Sequence, residues 1–147
     1  MTHIRISTPA DIPRVLDIWR NAVDETHDFL TAADRLEIEA EVRAFLPTVP
    51  LWLAVDEHDR AEGFMFVHEG HMEALFIDAA LRGRGVGRAL VAHALHGHPG
   101  LTTDVNEQNR QAIGFYERMG FLRIGRSALD GQGRPYPLIH LRHQARD

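Results

Sequence analysis

The sequence predicts a single α/β domain, on three observations. Short alternating apolar runs (Ile4 to Ile6, Leu51 to Val55, Gly63 to His68, Met72 to Ile77) interchange with stretches of helical periodicity. Turn-forming residues fall between them. No linker, repeat or low-complexity tract divides the 147 residues, and 44% hydrophobic content fills one core of that size. One domain over residues 1–147 is therefore expected.

The elements follow from local signals. After the strand at Ile4-Arg5-Ile6, Thr8-Pro9-Ala10-Asp11 supplies a cap, a first-position proline and a first-turn acid. The helix that starts there should bury Ile12, Val15, Leu16, Trp19 and Val23 and end near Val23. A second helix is predicted from about Ala32 to Leu46, with Leu36, Val42 and Phe45 inward, stopped by Pro47 and Pro50. Leu51 to Val55 and Gly63 to His68 read as a hairpin turning at Asp56 to Asp59. Met72 to Ile77 is a further strand, and Val86, Leu90 and Ala94 mark a helix ended by Gly97 to Gly100. Leu101 to Val105 reads as a strand, and Arg110 to Met119 as a helix closed by Gly120. Phe121 to Ser127 and Tyr136 to Leu141 form a last strand pair around the Asp130-Gly131-Gln132-Gly133 turn.

Composition removes several classes of chemistry. The absence of cysteine excludes disulfides, thiolate metal sites and an acyl-cysteine intermediate. All 16 basic residues are arginine, so there is no lysine for a Schiff base or a Walker loop. A net charge of −5 argues against a nucleic-acid partner. No apolar run approaches the roughly 20 residues of a membrane span, and Met1 to Arg5 lacks a signal-peptide stretch. A cytoplasmic protein that uses no membrane is expected, as a monomer or homodimer. Charge is uneven: Asp24, Glu25, Asp28, Asp34, Glu37, Glu39 and Glu41 make the first third acidic, while Arg82, Arg84, Arg88, Arg110, Arg118, Arg123 and Arg126 gather later.

The segment Arg82-Gly83-Arg84-Gly85-Val86-Gly87-Arg88 lies between a strand and a helix. Glycines let backbone amides approach a ligand, and a helix N-terminus favours anions, so the segment suits phosphates. A dinucleotide fingerprint needs a glycine where Arg88 or Leu90 stands, and a strand-to-helix turn without a ligand remains compatible with the segment alone. Arg82-x-x-Gly85-x-Gly87, preceded by Ala74-Leu75-Phe76-Ile77-Asp78, resembles the pyrophosphate motif of the GNAT N-acetyltransferases. Asn106 to Phe121, with Asn109, Ala112, Phe115-Tyr116 and Gly120-Phe121, is similar to the family's other cofactor segment. The resemblance covers nearly the whole chain in element order. One departure is Ala79, where many members have proline.

The resemblance implies a GNAT fold, with a mixed central sheet of six to seven strands flanked by about four helices, and N-acetyl transfer from acetyl-coenzyme A to a primary amine. It assigns cofactor binding to Leu75, Phe76, Ile77, Arg82, Gly83, Arg84, Gly85, Val86, Gly87, Arg88, Asn109, Ala112 and Phe115, and places Tyr116 beside the sulfur. The reaction needs an acid for the leaving thiolate, for which Tyr116 is the candidate, and a base for the amine. Glu73 is favoured as base over His71, which shares its strand face. Without cysteine, direct attack in a ternary complex is expected. The acceptor region implied by the resemblance offers His27, Phe29 and Tyr136 near acids suited to a cationic amine, which includes a protein lysine or N-terminus or a small-molecule amine. His93-x-x-His96-x-His98 and His68-x-x-His71-x-Glu73 are spaced for a metal, but the first straddles a helix end and no cysteine assists, so no metal is expected. The alternative function class is a sensor that binds an acyl-coenzyme A without turning it over; a phenol at the sulfur argues for the enzyme.

Overall fold

The computed structural model describes residues 2–144. In chain order the elements are β1 (His3–Ile6), α1 (Ile12–Thr26), α2 (Ala32–Phe45), β2 (Trp52–Val55), β3 (Ala61–His68), β4 (His71–Ile77), α3 (Val86–Gly97), β5 (Thr102–Asn106), α4 (Arg110–Arg118), β6 (Phe121–Ser127) and β7 (Leu138–His143), with single 3-10 turns at Pro9–Asp11, Leu46–Thr48 and Ala79–Leu81. The seven strands follow the order β1-β2-β3-β4-β5-β7-β6. The sheet is mixed: β4 and β5 are parallel, and β1-β2, β2-β3, β5-β7 and β6-β7 are antiparallel. Four α-helices accompany it among the described residues, which is the α/β architecture expected. Backbone contacts group into two compact units, one of the residues up to Phe66 with Ala74–His93, the other of Val67–Glu73 with the residues from Ala94 onward.

In the first unit, α1 buries Val15, Leu16, Ile18, Trp19, Ala22 and Val23. These pack with Leu46, Leu51, Leu53, Val55, Ala61 and Phe64. The chain enters α1 through Asp11, which accepts from the Thr8 amide at 2.7 Å and from Arg5 through both carboxylate oxygens at 2.9 Å. The helix continues to Thr26, past the Val23 end expected, and the Thr26 hydroxyl donates to the Ala22 carbonyl at 2.7 Å.

The expectation for α2 needs correction. Val42 meets the core as expected and Ile38 joins it, whereas Leu36 and Phe45 are 69% and 45% exposed. Ile38 and Val42 lie four apart and share a face, whereas Leu36 sits two residues before Ile38, on the far side of the helix. Phe45 keeps an edge contact to Phe66 at 5.5 Å. Polar contacts finish the attachment: Arg35 bonds Asp24 and Glu39 and lays its guanidinium 4.7 Å over the Trp19 ring.

In the second unit β5 alternates, with Thr103 and Val105 buried while Thr102, Asp104 and Asn106 are not. Buried Leu101, Ile113, Tyr116, Phe121, Ile139 and Leu141 belong to the same unit. Helix α4 starts at Asn109, whose side-chain oxygen accepts from the Ala112 amide at 3.2 Å, and is followed by Gly120 at φ +100°. The last strand begins at Leu138 rather than Tyr136. Proline at 135 and 137 deprives that approach of two ladder donors. Asp130 closes the turn by accepting from the amides of Gln132 and Arg134 at 2.9 and 2.8 Å.

Candidate active site

The first unit presents the glycine segment. Gly83 and Gly85 adopt φ of +78° and +83°, a backbone conformation L side chains rarely take, and nothing lies within 4 Å of where a Cβ would stand on either. The requirement for glycine here is therefore conformational, with open space beside it, and not the crowding by neighbours that would come from tight packing. Helix α3 opens directly after this turn, its first interior bond running from the Ala89 amide to the Gly85 carbonyl at 2.9 Å. The preceding N–H groups are the free donors every helix start carries, in a stretch where Gly83, Arg84, Gly85 and Arg88 are exposed. Such a cradle fits a pyrophosphate. Val86 is buried and anchors the helix, while Arg82 and Gly87 are half-buried.

Leu75, Phe76 and Ile77 are half-buried at the end of β4. The β4–β5 register covers His71 and Met72, and these three continue the strand beyond it. Their position is set by residues the motif reading missed. A Cβ on Gly63 would stand 2.7 Å from Ile77 Cδ1, 3.0 Å from the Phe76 carbonyl oxygen and 3.1 Å from Val86 Cγ1, so only glycine lets β3 pass so close. A glycine inside an apolar strand was the available signal. After β4, Asp78 accepts from Arg14 at 2.6 Å and from the Ala80 amide at 3.0 Å. Burial pushes the Asp78 carboxyl up, but those donors outweigh it and hold it below the usual carboxylate range. The Ala79 amide donates to Asn21 Oδ1 at 2.9 Å, a bond that the proline found in many family members could not make.

His27 and Phe29 come together where α1 ends, with ring centroids 5.3 Å apart. Because the Thr26 hydroxyl donates to Ala22, His27 Nδ1 donates to Thr26 Oγ1 at 2.7 Å. Burial lowers the imidazole pKa below its ordinary value.

In the second unit Tyr116 is 6% exposed and sits between Phe115 and Phe121, at ring separations of 5.2 and 5.3 Å. Its phenol hydrogen-bonds Thr103, and burial pushes its pKa well above the ordinary value, so it is a protonated donor at neutral pH. The Thr103 hydroxyl donates onward to the Met72 carbonyl at 2.9 Å, which leaves its lone pair to the phenol. Asn109 is committed through its oxygen to capping α4, and Ala112 and Phe115 are half-buried on the same helix. Glu73 is exposed on β4. His71 is engaged at both nitrogens, Nδ1 2.7 Å from Thr102 Oγ1 and Nε2 3.4 Å from Asp104 Oδ2. Tyr136 is 7% exposed. Among the described residues no group of three or more His, Asp or Glu side chains is placed to hold a metal, and no helix is long and apolar enough to cross a membrane.

Comparison with known proteins agrees with these features. Residues 47–123 match the acetyltransferase (GNAT) domain family. The peptidyl-lysine N-acetyltransferase YjaB of Salmonella typhimurium is 53% identical over 96% of this chain and 97% of its own. The protein of that name from Escherichia coli K12 is 54% identical over 94% of each. The solution structure of the apo form of Escherichia coli YjaB superposes with a TM-score of 0.95 over 99% of each chain, at 51% identity. The chain belongs to the GNAT family and is an N-acetyltransferase.

Proposed function

We propose that this enzyme, acting as one domain over residues 1–147, transfers the acetyl group of acetyl-coenzyme A to the side-chain amine of a lysine in a protein, by direct attack in a ternary complex. The observation that carries the cofactor is the open, positive-φ turn at Gly83 and Gly85 running into the start of α3, a built anion cradle. The acceptor class rests on identities of 53% and 54% to relatives named as peptidyl-lysine N-acetyltransferases.

Acetyl-coenzyme A, when bound, supplies an activated acyl group as a thioester. The amides of Gly83 to Arg88 take its pyrophosphate, with Arg82, Arg84 and Arg88 adding charge. Leu75, Phe76 and Ile77 present backbone groups to the arm and its carbonyl, and Asn109, Ala112 and Phe115 line it on the α4 side. Tyr116 donates a proton to the departing sulfur. Glu73 accepts the proton of the attacking amine, directly or through water, because His71 is already held by Thr102 and Asp104. His27, Phe29 and Tyr136 contact the acceptor, and the acids around Asp24 and Glu25 favour a cation.

The test is release of free coenzyme A thiol from acetyl-coenzyme A with lysine-containing peptides, beside peptides whose lysines are replaced by arginine. Lysine-dependent release, with acetyl-lysine found by mass, is the expected outcome. Equal release with both sets overturns the acceptor class. Thermal stabilisation by ATP and none by acetyl-coenzyme A overturns the cofactor.

A further inference from the structure

Three side chains from three strands of the second unit, Ser127 on β6, His140 on β7 and Asp104 on β5, form a line of hydrogen bonds that acetyl transfer does not use. Ser127 Oγ lies 2.6 Å from His140 Nε2, and His140 Nδ1 lies 2.5 Å from Asp104 Oδ1. On its other oxygen Asp104 meets His71 Nε2 at 3.4 Å. We infer that Ser127, His140 and Asp104 form a second catalytic site, a serine nucleophile with its base and orienting acid, which cleaves small activated acyl esters.

The arrangement is directional. Asp104 has only acceptor oxygens at this contact, so His140 carries its proton on Nδ1 and leaves Nε2 to accept from the Ser127 hydroxyl. That is the tautomer a general base needs, and nucleophile, base and orienting group in hydrogen-bond sequence are the signature of an activated serine. His71 Nε2 approaches the other carboxylate oxygen of Asp104, Oδ2, at 3.4 Å, and adds to the polar surround of that acid.

The backbone is arranged to make this contact. Asp104 and His140 are directly opposite in the β5–β7 register, so their side chains share one face. Along β6 the register to β7 runs from Arg123 opposite Leu141 to Gly125 opposite His140, leaving Ile124 as an extra residue. Without that bulge Ser127 would stand on the other face from His140. At Gly125 a Cβ would stand 3.4 Å from His140 Cδ2, an ordinary contact, so the residue lies directly against the ring. The side chains of Asp104 and His140 are 34% and 29% exposed, which leaves the line open to small molecules.

The chemistry closes without a further reactant but water. Ser127 Oγ bonds to the acyl carbon while its proton passes to His140 Nε2 and on to the leaving oxygen, whose bond to carbon breaks. Water then attacks the acyl-serine, gives a proton to Nε2, and Ser127 recovers it as the carboxylic acid leaves. An open surface site suits an acyl group that needs little carbonyl activation, such as a p-nitrophenyl ester.

The purified full chain is therefore tested with p-nitrophenyl acetate and, separately, with a fluorophosphonate that labels nucleophilic serines. Ester cleavage is expected to fall about 100-fold in Ser127→Ala and in Asp104→Asn, with amine acetylation from acetyl-coenzyme A unchanged in Ser127→Ala. Peptide mapping of the unaltered protein should place the fluorophosphonate adduct on Ser127. Cleavage equal in Ser127→Ala, or an adduct only at other residues, overturns the site. Since labelling is done on the unaltered chain, a variant that folds poorly does not blunt the test.

Discussion

The Asn21 side-chain oxygen on α1 accepts a 2.9 Å hydrogen bond from the amide of Ala79, tying the first helix to the turn that follows β4. A half-buried amide that loses its acceptor costs about 1–2 kcal/mol. Asn21→Ala is expected to lower unfolding free energy by that amount in urea titration. In an Ala79→Pro background the donor is already gone, so adding Asn21→Ala should cost much less. Additive effects in that double-mutant cycle would show that the bond does not hold the turn.

Gly63 and Gly85 fail for different reasons, and substitution separates them. Gly85 has room but needs φ of +83°, so alanine is strained by about 1–2 kcal/mol while asparagine, which tolerates that region, costs less. Gly63 has no room beside Ile77, Phe76 and Val86, so alanine must displace them. We expect Gly63→Ala to destabilise by about 1–3 kcal/mol and asparagine to be worse there than alanine. Calorimetric binding of acetyl-coenzyme A should be weakened by Gly85→Val without loss of helical circular dichroism. Unchanged affinity in that variant removes the turn as the pyrophosphate cradle.

The contrast between these two glycines shows what the sequence could disclose. Spacing alone exposed Gly83, Gly85 and Gly87, because a turn entering a helix is a local pattern, and strands and helices were legible from periodicity for the same reason. Leu36 and Phe45 were misread because α2 carries apolar residues on more than one side, and which side meets the core depends on contacts distant in sequence. Arg14, Asn21 and Gly63 support the end of β4 and the turn after it through contacts that sequence spacing does not encode. The Ser127–His140–Asp104 line depends on a bulge in β6, which shifts side-chain parity by one residue; Gly125 inside that strand was its one mark, and it does not say which side chains the shift brings together.

Arg5 and Asp11 set an acid limit on stability. The Arg5 guanidinium holds the Asp11 carboxyl at about 2, against an ordinary value of 3.8. A depressed carboxyl stabilises the fold above its unfolded pKa and loses that contribution as pH falls through the folded one. The pair should thus contribute fully above about pH 4, to the extent of about 2 kcal/mol, and nothing below about pH 2. Unfolding of Arg5→Ala, followed against pH, should show a shallower decline across this window than the parent chain. Parallel curves would assign the acid limit to other carboxylates.

Tyr116 separates chemistry from packing most sharply. Its ring packs between Phe115 and Phe121, and its hydroxyl donates to Thr103, which in turn donates to the Met72 carbonyl. Tyr116→Phe keeps the ring and deletes the proton donor. If that proton goes to the departing sulfur, turnover falls by about 10² or more with little change in affinity for acetyl-coenzyme A. Stability also falls by about 1 kcal/mol, since the Thr103 bond is lost in either case. Thr103→Val provides the control: it breaks the same bond from the other side, together with the bond to the Met72 carbonyl, and leaves the phenol in place, so it should lose at least as much stability and spare most of the turnover. A Tyr116→Phe enzyme with near-parental turnover, measured at saturating acetyl-coenzyme A with a verified lysine acceptor, would reduce Tyr116 to a buried hydroxyl that satisfies its neighbour, and the proton for the thiolate would then come from water.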